Sequence, residues 1–265
     1  MLEIRILHGT SEFQAADRLL RRVWNTRAGD DPPVAVDLMC ALEHTGGYVS
    51  GAFLGGELVA AASGFLAEGA GLHSHVVGVA AEARGRGVGQ AIKAHQRAWA
   101  AERGLSSISW TFDPLVRRNA FFNLGRLGAR AERYVPDFYG PMNDGINGGD
   151  LTDRLFAHWP VNPAPALDPA RSPVPVAPDS GLSALGGTEK AEVILDETGA
   201  PREPGGAAVL RCATPADAER LRREDPAEAA RWRAAQRAAL GGALARGYRI
   251  ATFTRDGWYV LERAA

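Results

Sequence analysis

Between Val77 and Ala91 the chain reads Val-Gly-Val-Ala-Ala-Glu-Ala-Arg-Gly-Arg-Gly-Val-Gly-Gln-Ala, with glycines at 78, 85, 87 and 89. An extended run enters this stretch and a helical pattern leaves it. A helix N-terminus offers unpaired N–H groups and the positive end of the helix dipole. Glycines let successive N–H groups converge on an anion with no side chain in the way. The implied chemistry is pyrophosphate binding; the competing reading is a glycine turn with no ligand. A dinucleotide fingerprint needs glycine where Gln90 stands, and no Gly-Lys-Ser/Thr follows, which excludes a P-loop. Just upstream, His73 and His75 are two residues apart, so a strand presents both on one face. An unperturbed imidazole, with a pKa near about 6.5, suits proton transfer at neutral pH. A structural pair satisfied by backbone groups is the alternative, and metal binding is the weakest of the three because no other ligands cluster nearby. Asp113, before Pro114, is placed either to bind an amine or simply to form a turn.

Arg84, Gly87 and Gly89 fit the pattern [RQ]-x-x-G-x-[GA], and the segment resembles the acyl-CoA loop of the GNAT acyltransferase superfamily. The order of elements over about residues 2–159 is similar too. The resemblance implies an acyl-CoA-dependent N-acyltransferase using acetyl-CoA or another acyl-CoA as cosubstrate, with no metal. The N–H groups of Arg84, Gly85, Arg86, Gly87, Val88, Gly89 and Gln90 would hold the CoA pyrophosphate. The backbone of Val77, Gly78 and Val79 would meet the pantetheine arm. Asn119 is placed like pantetheine-contacting residues of relatives, with a helix N-cap as its other reading. His-Ser-His-Val-Val-Gly-Val is similar to the His-x-His strand of serotonin N-acetyltransferase, where two histidines relay a proton through water. His73 also stands where many members carry a catalytic glutamate. Two positions depart from the family: Ala81 replaces a proline, and Leu124 stands where a thiolate-protonating tyrosine is usual. Tyr139 is the best substitute acid and Tyr134 the next, here assigned to substrate binding with Asp113; each has a structural alternative. The segment 143–150 has the composition of an acceptor lid or a plain connecting loop. The two-part layout, with Tyr-Gly-Pro-Met-Asn-Asp-Gly, resembles a longer subgroup associated with N-acylamino-acid racemase pathways, which implies an amino-acid amine and a succinyl donor.

These residues need a scaffold. Alternation and turn signals predict strands over Leu2–Leu7, Tyr48–Leu54, Glu57–Leu66, Leu72–Val79, Ser106–Phe112, Ala129–Tyr134 and Arg154–Trp159. Helical spacing predicts helices after Ser11 through Trp24, over Val34–Glu43, Val88–Arg103 and Arg118–Leu124. The expected fold is α/β (α+β): a GNAT-like, mostly antiparallel central sheet flanked by helices, plus a smaller C-terminal α+β region. The expected division is 1–159 catalytic, 160–187 linker and 188–265 accessory. Seven prolines between Pro160 and Pro178 mark the linker. Beyond it come strands over Ala191–Asp196 and Ala207–Cys212, one long helix, and a hairpin turning at Arg255-Asp256-Gly257. That helix carries Arg220, Arg222, Arg223, Arg231 and Arg233 among Glu219, Glu224, Asp225 and Glu228, which reads as a solvated face.

Composition narrows the classes. In 265 residues, 30 basic side chains balance 31 acidic ones, which argues against a nucleic-acid partner. Only Lys93 and Lys190 are lysines, a bias attributed to base composition. Cys40 and Cys212 lack CxxC partners, consistent with a reduced, cytoplasmic protein. No apolar run reaches the about 18 residues of a membrane span. The expected partner is a small-molecule amine; the homodimer is left open. Two rival functions survive: a CoA-binding sensor without turnover, and an interaction protein working through residues 160–265.

Overall fold

The computed structural model describes residues 1–26, 29–140, 142, 149–161 and 191–264. The linker, apart from Pro160 and Val161, and the proposed lid, apart from its last two residues, lie outside the described residues. The chain divides into two compact units. The first is Met1–Trp110 with the described part of Pro160–Ala170. The second is Thr111–Met142 with the described parts of Asn147–Trp159 and Arg171–Ala265.

The first unit runs β1 (Leu2–Ile6), α1 (Gly9–Trp24), α2 (Val36–His44), β2 (Tyr48–Leu54), β3 (Glu57–Ala67), β4 (Gly71–Val79), α3 (Val88–Glu102) and the start of β5 (Ser107–Phe112). Its strands lie in the order β1-β2-β3-β4-β5; the first three pairings are antiparallel and the last is parallel. Helix α1 buries Phe13, Ala16, Leu19 and Leu20, a stripe at three- and four-residue spacing. Against it pack Leu7, Val34, Met39, Leu42, Val49, Ala61 and Val76 from the loops, α2 and the sheet. Glu12 secures the entry to α1 by accepting from the His8 N–H at 2.7 Å while holding Arg5. The turn between β2 and β3 uses Gly55 and Gly56, both at positive φ, as a two-residue hairpin prefers.

In the second unit, α4 (Arg117–Ala120) continues as a π turn over Phe121–Arg126, followed by the antiparallel pair β6 (Arg130–Val135) and β7 (Arg154–Pro160). A four-stranded sheet forms from β8 (Glu192–Leu195), β9 (Val209–Ala213), β10 (Tyr248–Phe253) and β11 (Trp258–Arg263), in the order β10-β11-β9-β8. The expected single long helix is instead α5 (Ala218–Glu224), α6 (Pro226–Gln236), a π turn over Arg237–Gly241 and α7 (Gly242–Ala245). The break falls at Asp225-Pro226. Proline has no N–H to continue the ladder but suits a first helical position. Asp225 caps the new helix by accepting from the Glu228 N–H at 3.0 Å, as Asp217 caps α5 through Arg220.

The solvated reading of the arginine-rich helices is also corrected. Arg222 and Arg233 are buried and form ion pairs with Asp113 and Asp150, whereas Arg220 stays at the surface. Cys212 is a buried free thiol whose ionisation burial pushes up, and Cys40 is a half-buried free thiol. Among the described residues no helix is long and apolar enough to cross a membrane.

Candidate active site

Strands β4 and β5 pair over three residues only, Gly71 with Ser107, Leu72 with Ile108 and His73 with Ser109. Beyond His73 the described ladder stops, so β4 runs on to Val79 with one edge unpaired by β5. A bulge in β4 helps this divergence: Ser63 pairs with Val76 and Gly64 with Ser74, leaving His75 as the extra residue. Free backbone groups along such an edge offer hydrogen bonds to an extended ligand. Val77 and Val79 lie on that stretch, where the Val79 carbonyl accepts from Arg84 Nε at 3.3 Å.

After Val79 come a short 3₁₀ turn at Ala81–Ala83 and the glycine loop. Gly85 and Gly87 have φ of +74° and +78°, and a Cβ at either would meet nothing within 4 Å. The chain therefore needs glycine for conformation here, and the space beside it is open. Gly87 is the N-cap of α3 and no side chain caps it. The first backbone bond in the helix is from Ala91 N–H to the Gly87 carbonyl, at 3.0 Å. The N–H groups of Val88, Gly89 and Gln90 thus lie in the turn that an anion would complete. Arg84 and Arg86 are exposed beside it. A shallow cavity lined by Leu19, Arg22, Val23, Ala80, Ala81, Glu82 and Arg84 adjoins the loop. The loop thus fits a pyrophosphate in both shape and donor set.

His73 and His75 share one side of β4 with Phe65, whose ring stacks on His73 at 5.4 Å and tilts against His75 at 5.3 Å. His73 Nδ1 lies 3.1 Å from Ser109 Oγ. Burial is the main cause that pulls the His73 imidazole down to about 4, helped by the nearby His75 and Lys93. Burial lowers His75 as well, against a hydrogen bond to the Pro33 carbonyl. Both rings are therefore neutral at pH 7, and the expected value of about 6.5 does not hold for His73.

The second unit holds the other candidates. Asn119 lies inside α4, whose N-cap is Val116, so the capping reading fails. Its side chain is half-buried. Asp113 is buried and fully engaged. Arg233 donates to its two oxygens at 2.8 and 2.9 Å, Arg222 donates to Oδ2, and Leu115 N–H donates to Oδ1 at 2.9 Å. Despite burial, these arginines and Arg154 hold its carboxyl far below the usual range. Asp113 is neither an open amine subsite nor a simple turn former. Tyr134 is likewise taken up: its hydroxyl donates to Asp153 at 2.5 Å, and burial beside that carboxylate pushes its ionisation well up. That argues against both a proton-donating and a substrate-binding role. Tyr139 is different. It is 40% exposed, and its hydroxyl lies 3.1 Å from Thr111 Oγ1. Its N–H donates to Thr152 Oγ1 at 3.0 Å, which fixes the backbone beneath the ring. Three features escaped the sequence reading: Lys93, the partners of Asp113, and the Arg237–Asp153–Tyr134 chain. Only Lys93 left a local signal, since it interrupts the apolar face of α3.

Residues 13–125 match the Acetyltransferase (GNAT) family. That segment is similar to the GNAT acetyltransferases. Among solved structures, an N-acetyltransferase from Staphylococcus aureus Mu50 is similar with a TM-score of 0.50 and 14% identity, over 61% of this chain and 99% of that one. The Escherichia coli ribosomal-protein-S18-alanine N-acetyltransferase has a TM-score of 0.48 and 15% identity, over 63% and 97%. A putative acetyltransferase from Salmonella typhimurium with its cofactor acetyl-CoA has 0.49 and 17%, over 63% and 98%. The Staphylococcus aureus likeness, at 14% identity, bears on the fold alone. No curated protein sequence matches the chain significantly.

Proposed function

We propose that this protein is a GNAT acyltransferase that transfers an acetyl or succinyl group from acyl-CoA to a small-molecule amine, an amino acid among the candidates, by direct attack on the thioester. The observation that carries the donor half is the glycine loop at the start of α3 beside the unpaired edge of β4. The loop N–H groups hold the pyrophosphate, and Val77 through Val79 bind the pantetheine arm. Residues 1–159 carry catalysis in this reading, with 160–187 as linker and 188–265 as accessory region.

The amine must lose a proton as it attacks. Accepting it directly from an alkylammonium, pKa roughly 10.4, would set His73 against a gap of about six units, or about 9 kcal/mol. His73 and His75 therefore orient a water between them and the amine, and take the proton after carbon–nitrogen bond formation has acidified it. Tyr139 is the proposed donor to the departing thiolate, because its hydroxyl is accessible.

A free-thiol release screen tests this, crossing acetyl-CoA and succinyl-CoA with an amine panel that includes free amino acids. Turnover with one pair is the expected result. Donor binding by calorimetry without turnover would favour a sensor, and no donor binding would remove the acyl-CoA site.

A further inference from the structure

Lys93, on α3, is buried and its Nζ donates to Ser74 Oγ at 2.9 Å. The same Nζ sits 3.9 Å from the centre of the Trp110 ring. Ser74 and Trp110 are the residues directly after His73 and Ser109, the last ladder pair of β4 and β5. One amine thus touches both strands at the first step of their divergence. Ser74 Oγ in turn donates to Gln96 Oε1 at 3.1 Å, and Gln96 Nε2 is buried with no hydrogen-bond partner among the described residues.

We propose that Lys93 is a positioning residue for the acyl donor: its ammonium pins the fork between β4 and β5 in the shape that receives the thioester, so donor affinity follows its charge. This rests on the acyl-CoA reading given above. The charged form is the one that fits the geometry. An ammonium donates to Ser74 and is attracted to the indole face, and a neutral amine loses the second interaction. In the charged state Ser74 must donate to Gln96, which strands the Gln96 amide N–H. In the neutral state Ser74 can donate to Lys93 and accept from a turned Gln96, which removes the cross-strand link to Trp110.

No carboxylate offsets the charge among the described residues. The titratable groups on the elements around Lys93 are otherwise committed or distant. On β4, His73 is near enough for the Lys93 charge to depress it, and His75 bonds toward Pro33. On α3, His95 bonds the Tyr48 hydroxyl of β2 at 2.7 Å. Arg5 of β1 is held by Glu12, Glu57 of β3 is exposed, and the paired part of β5 carries no titratable side chain. Burial alone brings Lys93 down to about 7. Its charged fraction then falls about tenfold between pH 6 and pH 8, and the apparent donor Kd rises by the same factor if only the charged form is competent.

The chain has two lysines, Lys93 and Lys190, which makes a direct test feasible. Lysine labelled with ¹³C at Cε is titrated by NMR in the full-length protein, with Lys190→Arg to assign the signals. A Lys93 midpoint near 7 is expected, and saturating acetyl-CoA should move it upward, because donor affinity and protonation are reciprocal. A midpoint of 9 or above, or one that bound acetyl-CoA leaves in place, overturns the proposal. Calorimetry in the same samples separates the failures: absence of acetyl-CoA binding refutes the acyl-CoA site, and binding without a Lys93 shift refutes only this role. In Lys93→Met, folding checked by circular dichroism, acetyl-CoA affinity should lose the tenfold pH dependence of the wild type. A dependence retained in full would also overturn it.

Discussion

Replacing Asp113 with asparagine removes one negative charge from the most enclosed ionic cluster among the described residues while keeping the side chain's shape. The cluster sets Asp113 and Asp150 against Arg222, Arg233 and Arg154. The Arg222 and Arg233 side chains are only 3% and 1% exposed, so water cannot replace the lost partner. Asparagine can accept one guanidinium N–H through its carbonyl, but its amide group would face Arg222 or Arg233 donor to donor. Breaking a buried pair on one side costs about 3–5 kcal/mol. At about 2–4 °C per kcal/mol for a chain of this size, Tm should fall by on the order of 10 °C. Urea unfolding followed by circular dichroism and tryptophan fluorescence measures the cost, provided the two probes coincide. The deficit should be flat from pH 7 to pH 5. The native carboxyl is held far below its unfolded value of 3.8, so its stabilisation is fully present above that value and is lost only as pH falls further. Asp113→Leu and Arg233→Met should each cost a similar amount, and the two together should cost less than the sum of those two single changes. Asp113→Asn within about 1 kcal/mol of wild type, or strict additivity in the pair, would refute the reasoning.

Other consequences follow from the same geometry. Gly87→Val forces a β-branched residue to φ +78° at the start of α3 and should weaken acetyl-CoA binding by tenfold or more, about 1.4 kcal/mol. Gly104→Val, at φ +68° beyond the other end of that helix, should cost comparable stability with donor affinity unchanged, and equal losses of affinity would argue against the loop as the anion site. In the pH profile of kcat/KM, His73 should contribute no step near 6.5: its working form is neutral, and its own contribution is lost only as pH falls through about 4. Wild-type rates from both His73→Ala and His75→Ala would sink the proposed relay. Gly257→Ala places a methyl against the Arg117 guanidinium at φ +98°, displacing its bonds to Thr214, and should cost about 2–3 kcal/mol by urea unfolding.

How much of this was legible in the sequence depended on the range of the interaction. The β2–β3 hairpin is set by Gly55-Gly56 and by alternation on either side, and the strand Tyr48–Leu54 appears with the expected bounds. The glycine loop is equally local, since strand, glycines and helix lie within 15 residues and each needs only its neighbours. The fork is half legible. The sequence marks β4 and β5, but not that their pairing stops after His73, because a bulge at His75 depends on register against β3. Chemical state was less legible than position: His73 and His75 sit on one face of β4 as spaced, yet Phe65 and the surrounding burial remove the ordinary histidine pKa from His73.

The arginines show where local reading fails in principle. Arg222 lies among Glu219, Glu224 and Asp225, so counting charge within the helix makes it look neutralised and solvated. Its partners are instead Asp113 and Asp150, 109 and 72 residues away. Charge sequence carries no information about such distance, because an aspartate before a proline is an ordinary turn signal until something buries it. The consequence bears on residues 191–264. They supply two of the three guanidinium groups that keep Asp113 ionised at the end of β5, so that carboxylate is tolerable only with the later part of the chain folded around it. The later residues are in this respect a stabilising element of the strand that carries Thr111 and the Tyr139 contact, rather than an appendage to it. A chain ending at Pro160 should therefore unfold more readily than the full protein even at neutral pH, and Asp113→Leu in that shortened chain should restore part of the loss. Proteolysis rates of the two shortened chains measure the difference; equal resistance in both would show that the buried charge is not what makes residues 191–264 necessary.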